Sequence, residues 1–253
     1  MENFVKDDSI IREIWGKSDT VLLIFAGAAA EFALNKAVDW LYFTGKLPAD
    51  PLGRLFSTVG YARKIIFADK ATALKSIDSI YHIHKAVENS RESTIPDWAY
   101  RDVLFMLIYY SIASFEVLER KLTSEEKEEV YNVFFRVGER MQLKDLASDY
   151  NTWLLQRAEH LQNDLIKSHY TKDLFKQYKK HLGSLRYFVL IEGQKLIIPE
   201  KVRLLLEFKK TSMLRFLLPF YKLSRFLHLD NSIKKVLLPK EYETEINEIN
   251  VVA

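Results

Sequence analysis

No cysteine occurs anywhere in the 253 residues. That excludes disulfides, thiolate ligation of a metal or haem, and a cysteine nucleophile. It fits a reducing compartment, and a cytoplasmic protein is the expectation. Long apolar runs are also missing. The longest, residues 21–30 (VLLIFAGAAA), falls well short of the ~20 residues a membrane span needs. The opening stretch, MENFVKDDSIIREIWGKSD, is acidic and polar, unlike a secretory signal. Net charge is only +3, so composition gives no reason to expect nucleic acid as a partner. There is no Gly-rich phosphate loop, no Gly-x-Ser-x-Gly elbow and no Cys/His zinc pattern. Internal repeats, low-complexity stretches and linkers are absent as well. With eight Gly and six Pro, the chain has few places to break.

What is present is helical periodicity almost throughout. Asp19 suits the cap of a helix over about 20–43, which GKLPADP (45–51) stops. Pro51 can open the next, to about Phe67, because Pro suits a first turn. Asp69 caps a helix to about Asn89. Asp97 caps another over about 98–120, whose middle, VLFMLIYYSIASF, is apolar enough to be central. TSEE (123–126) is a capping box. Asp145 suits the start of a helix to about Lys167. Residues 185–199 (LRYFVLIEGQKLIIP) fit either a short hairpin or a bent helix, and residues 202–229 return to helix with an interruption at Pro219. The expected fold is a single all-α domain, over 1–253, with a central apolar helix and an internal ligand pocket.

Two histidines stand two places apart in DSIYHIHKAV (78–87). Residues three and four apart share a helix face. Ala73, Ile77, Ile80, His84 and Val87 follow that spacing, so His84 points at the core. His82 lies about 200° around the helix, beside Lys75, Asp78 and Lys85, and faces water with Asp78 as a partner within reach. A buried imidazole needs a partner for its nitrogens: a carbonyl, a Tyr hydroxyl or a metal. Upstream, Arg54, Thr58, Tyr61 and Ile65 share one face and Leu55, Val59, Ala62 and Ile66 the adjacent one. Arg54 and Thr58 can either hold an anion in a pocket or form a solvated edge with a snorkelling arginine.

Three segments carry a resemblance. They are DPLGRLFSTVGY (50–61), with an Asp-Pro and an Arg-x-x-x-Thr; IDSIYHIHKAV (77–87), with a His three residues before a Val; and residues 99–143, an apolar helix followed by a Leu-Thr-x-x-Glu entry and a Tyr-containing helix. In order and spacing they resemble the haem-dependent oxygenases that include rubber oxygenase and the oxygenase MpaB. The likeness runs from about Phe25 to Leu155. It implies a haem b inside an all-α domain with His84 as the proximal iron ligand. It places Arg54 and Thr58 on the other side of the pocket, Arg54 to pair with a propionate or polarise oxygen and Thr58 to donate a hydrogen bond. The implied reaction uses dioxygen on an apolar substrate such as an alkene, isoprenoid or lipid. Ser57 stands where rubber oxygenases carry a Lys, so a His/Lys six-coordinate iron is not implied. The His-Pro pair common in the preceding helix is missing from AAAEFALNKAVDW (28–40). A non-catalytic helical protein that binds haem, a lipid or a partner is the alternative.

Other polar groups are read as ordinary surface. Glu119, Glu126 and Glu129 lack the Glu-x-x-His pairs of di-iron bundles. His160, His169 and His181 are nine and twelve residues apart, poor metal spacing, and are expected on the surface. Residues 200–240 hold ten Lys/Arg against three acids, with Leu and Phe between them. Such a basic amphipathic stretch suits peripheral membrane contact or a packed helix pair with a solvated basic face.

Overall fold

The computed structural model describes residues 2–45 and 49–226. Among these residues the chain forms eleven helices and no strand, arranged as one helical domain. They are α1 (Ile10–Trp15), α2 (Ser18–Phe32), α3 (Asp39–Phe43), α4 (Pro51–Phe67), α5 (Lys70–Arg91), α6 (Asp97–Leu118), α7 (Ser124–Arg140), α8 (Tyr150–Asn163), α9 (His169–Ile197), α10 (Glu200–Leu205) and α11 (Leu214–Phe226). Local chemistry fixes most starts. Asp50, Asp69 and Asp149 each accept a hydrogen bond from the backbone N–H three residues on, and Thr123 and Glu126 close a reciprocal capping box.

Helix α6 is central, as its composition predicts. It packs along α2, with α7, α9 and α1 also against it. The two central helices come unusually close at Gly27, where any Cβ would fall 2.3 Å from the Tyr110 ring. Trp15, Phe115, Tyr110 and Trp153 are fully buried in the core. Each large side chain so buried contributes about 1.5–3 kcal/mol.

Several boundaries differ from expectation. The helix expected over 20–43 is two helices. After Phe32 the backbone turns to bond another segment: the Leu34 carbonyl accepts from Ile166 N–H and Lys36 N–H donates to the Asp164 carbonyl. The Asn35 side chain caps Ala37 at 2.8 Å. Asp19 lies inside α2, not at its cap. Asp145 does not start a helix; it has a left-handed backbone, φ 55°, and its carboxylate takes Arg101. Helix α8 instead begins at Tyr150. Of the two readings open for residues 185–199, the bent helix holds: residues 185–197 belong to α9, which bends at Gly183 (φ 72°), a conformation Gly adopts without cost. The stretch beginning at 202 is split between α10 and α11, with Pro219 inside the latter; residues 227–240 of the basic segment lie outside the described residues. No helix among the described residues is long and apolar enough to cross a membrane.

Candidate functional site

Helices α4 and α5 pack against each other and carry the three residues singled out from sequence. Asp50 and Pro51 start α4 and thereby set the phase that puts Arg54 and Thr58 one turn apart. Thr58 is half-buried, and its hydroxyl donates to the Arg54 carbonyl at 3.1 Å. Its proton is therefore used within the helix and its lone pairs are what it can offer. Arg54 is half-buried too, and burial lowers its pKa, partly opposed by Tyr61. No carboxylate among the described residues forms an ion pair with it. Ser57 is exposed.

His84 follows the buried Ala73 and Ile77 along α5 and is half-buried. Its Nδ1 is shielded from solvent and has no hydrogen-bond partner among the described residues. The orienting carbonyl or carboxylate expected of a ligand histidine is therefore not found at this atom. The ring is set instead by Tyr100, whose ring lies edge-on at 5.2 Å. Tyr100 is held in turn by Glu88, which accepts its hydroxyl at 3.0 Å and the Ile95 N–H at 2.9 Å. Burial pushes the His84 pKa down to about 4, the Arg54 guanidinium pushes the same way, and Glu88 opposes them. The imidazole is thus neutral at physiological pH and in the electrostatic reach of Arg54. His82 is exposed, as expected. Asp78, though, pairs with Arg140 through two hydrogen bonds of 2.7 Å rather than with His82.

A second polar cluster was not foreseen. His160, expected on the surface, is 3% exposed. Its Nε2 meets Glu31 at 3.1 Å and its Nδ1 meets Asp102 at 2.5 Å, with Asp164 at 3.4 Å. Arg157 grips both oxygens of Glu31, and the Tyr110 hydroxyl donates to Glu31 at 2.8 Å. Asn35 donates to Asp102 at 2.9 Å. Burial alone would lower the His160 pKa, but its hydrogen bonds to Asp102 and Glu31 raise it to about 9. Burial would likewise raise Glu31, yet Arg157 and His160 bring it down to about 2. Asp102 is raised by burial. A carboxylate on each ring nitrogen describes an imidazolium. Asp102, His160 and Asp164 bring their donor atoms within 4.8 Å of one another, a set a divalent ion accepts. The ring protons occupy that same space.

The signal for this cluster was in the sequence. Trp153, Arg157 and His160 are spaced four and three apart, so a face holding a Trp also holds the two cations. Comparing His160 only with the other histidines hid it. His169 is exposed and His181 half-buried.

Comparison with known families gives a match over most of the chain. The family model described as ER-bound oxygenase mpaB/B'/rubber oxygenase, catalytic domain, covers residues 14–216. No curated protein matches, and no solved structure does.

Proposed function

The chain belongs to the mpaB/B' and rubber oxygenase catalytic-domain family, and from that premise we propose that it is a haem b-dependent oxygenase using dioxygen on an apolar substrate, an alkene, isoprenoid or lipid in class. The observation that carries the reading is His84: a neutral imidazole with a buried Nδ1 that no group among the described residues takes. A buried polar atom without a partner costs about 1–3 kcal/mol. A ligand that ring can meet would offset this. Neutrality matters equally, since iron and a proton compete for the same lone pair.

The residues present fit the group. His84 would hold its iron. Arg54 has the charge to pair with a propionate and no carboxylate of the described residues to neutralise it. Thr58 can accept a hydrogen bond. Tyr100, braced by Glu88, fixes the azimuth of the His84 ring and shields one edge from water. When bound, haem supplies the oxygen chemistry, while the protein sets access and polarity. Ser57 is exposed and offers no strong second ligand.

The test is an absorption spectrum of the purified protein. A strong band near 400 nm is expected, with a high-spin ferric form that responds to added imidazole. His84→Ala should lose the band and His82→Ala should keep it. A protein that stays colourless after haem is added back would overturn the reading and leave a non-catalytic helical binding protein.

A further inference from the structure

A cavity of about 560 Å³ lies between the second half of α9 and the segment that leads into α11. This is the size of an ordinary small-molecule site. Phe188, Ile191, Phe208, Met213 and Phe216 supply its apolar walls. The wall formed by residues 212–213 is fastened to α9: the Ser212 hydroxyl donates to the Glu192 carbonyl at 2.7 Å, and the Met213 N–H donates to the Glu192 carboxylate at 2.6 Å.

The charges at this cavity are unequal. Both acids that line it are already neutralised, Glu192 by Lys195 and Glu207 by Lys167. Lys209 also lines it, is exposed, and makes no ion pair among the described residues. Lys210 and Arg215 are exposed nearby in sequence, and no acid occurs from Phe208 to Phe226. The mouth is apolar as well. Phe216 is 71% and Phe220 70% exposed, and Leu217 and Leu223 join them on one face of α11 by their spacing. Four large apolar side chains in one exposed stripe are more than scattered surface residues explain.

We propose that this cavity binds a single-chain anionic amphiphile, a long-chain fatty acid in class. Its hydrocarbon chain lies against Phe188, Ile191 and Phe208 and emerges along the Phe216–Phe220 stripe, and its carboxylate faces Lys209. The site is separate from Arg54, Thr58 and His84, none of which lines it, and it stands whether or not the chain binds haem.

The experiment is a fluorescence titration of the full chain with cis-parinaric acid, a polyene fatty acid that brightens on leaving water, below its micellar concentration. Saturable one-to-one binding is expected. Ile191→Trp, which narrows the cavity at its apolar wall, and Phe216→Asp, which charges its mouth, should each weaken binding roughly tenfold or more. Phe216 is exposed, so its variant tests the site without endangering the fold. Lys209→Glu, and separately the methyl ester of the probe, should each weaken it about threefold or more. His84→Ala should bind as the parent does. Unchanged binding in both Ile191→Trp and Phe216→Asp would overturn the site. Equal affinity for acid and ester would overturn the anionic class. Loss of binding in His84→Ala alone would place the probe at α5 and overturn the proposal while leaving the haem reading intact.

Discussion

Two histidines lie inside this fold, in opposite electrostatic surroundings. His160 has a carboxylate on each nitrogen and is held charged, with its pKa raised to about 9. His84 has a phenol ring at its edge, a guanidinium in its field and no partner on Nδ1 among the described residues, and is held neutral, with its pKa lowered to about 4. Burial pushes both pKa values down. The sign of the outcome is decided by which charges the neighbouring helices bring. The same residue thus serves as a structural cation on α8 and as an available lone pair on α5.

The largest way to break this contrast is to remove one partner from the closed network. Arg157→Met leaves Glu31 and Asp102 buried with only His160 between them. The expected cost is about 3–5 kcal/mol, because an uncompensated buried charge is far worse than no charge. Urea unfolding measures it. The double variant Glu31→Gln with Arg157→Met should recover part of the loss. Additive losses would mean that the bidentate contact contributes nothing as a pair.

The unequal legibility of the two sites has a physical origin. His84 was readable because its stripe, Ala73, Ile77 and Ile80, is apolar and continuous, so a single helical phase fixes its direction. Pro51 in a first turn and the capping chemistry at Asp69 and Thr123 were equally local, and the helix starts there followed from them. The Glu31 network joins α2, α6 and α8, with Glu31 and Arg157 separated by 126 positions. No local pattern reports which carboxylate meets which cation. The break after Phe32 was hidden for the same reason, since its backbone groups are satisfied by residues 164–166. The Nδ1 of His84 marks the other limit: periodicity says that a ring points inward, not what it meets.

A second way to sharpen the contrast is pH. The folded pKa of His160, about 9, lies above its ordinary 6.5. Its stabilising contribution is therefore fully present below about pH 6.5 and is lost as pH rises through about 9. Glu31 has the opposite sign: its folded pKa is about 2 against 4.5, so its contribution is present above about pH 4.5 and lost as pH falls toward 2. Asp102, raised by burial, subtracts from stability once ionised. Within this network stability should be greatest between about pH 4.5 and 6.5 and fall on the alkaline side by about 3 kcal/mol. His84, with a folded pKa of about 4 against 6.5, takes stability away as pH falls below about 6.5, so the maximum for the whole protein lies near pH 6.5. His160→Asn should flatten that alkaline limb. An alkaline slope of the same size in His160→Asn would assign the loss to other groups.

The smallest expected effect is the most informative about His84. Replacing it with Leu removes an imidazole whose Nδ1 has no partner among the described residues, and supplies apolar surface where Ile77 and Ile80 already make an apolar stripe. Truncating a hydrogen-bonded buried group destabilises, whereas replacing an unsatisfied one with an apolar group of similar size is near neutral or stabilising. His84→Leu should therefore shift the unfolding free energy of the haem-free protein by less than about 1 kcal/mol in either direction. Its alkaline limb should match the parent, because a group neutral above about pH 4 does not titrate there. The same variant should lose the haem band entirely. A position that tolerates Leu in folding and fails completely in cofactor binding is kept for a ligand. A loss of several kcal/mol in the haem-free protein would instead make His84 a structural residue like His160, and the difference between the two histidines would disappear.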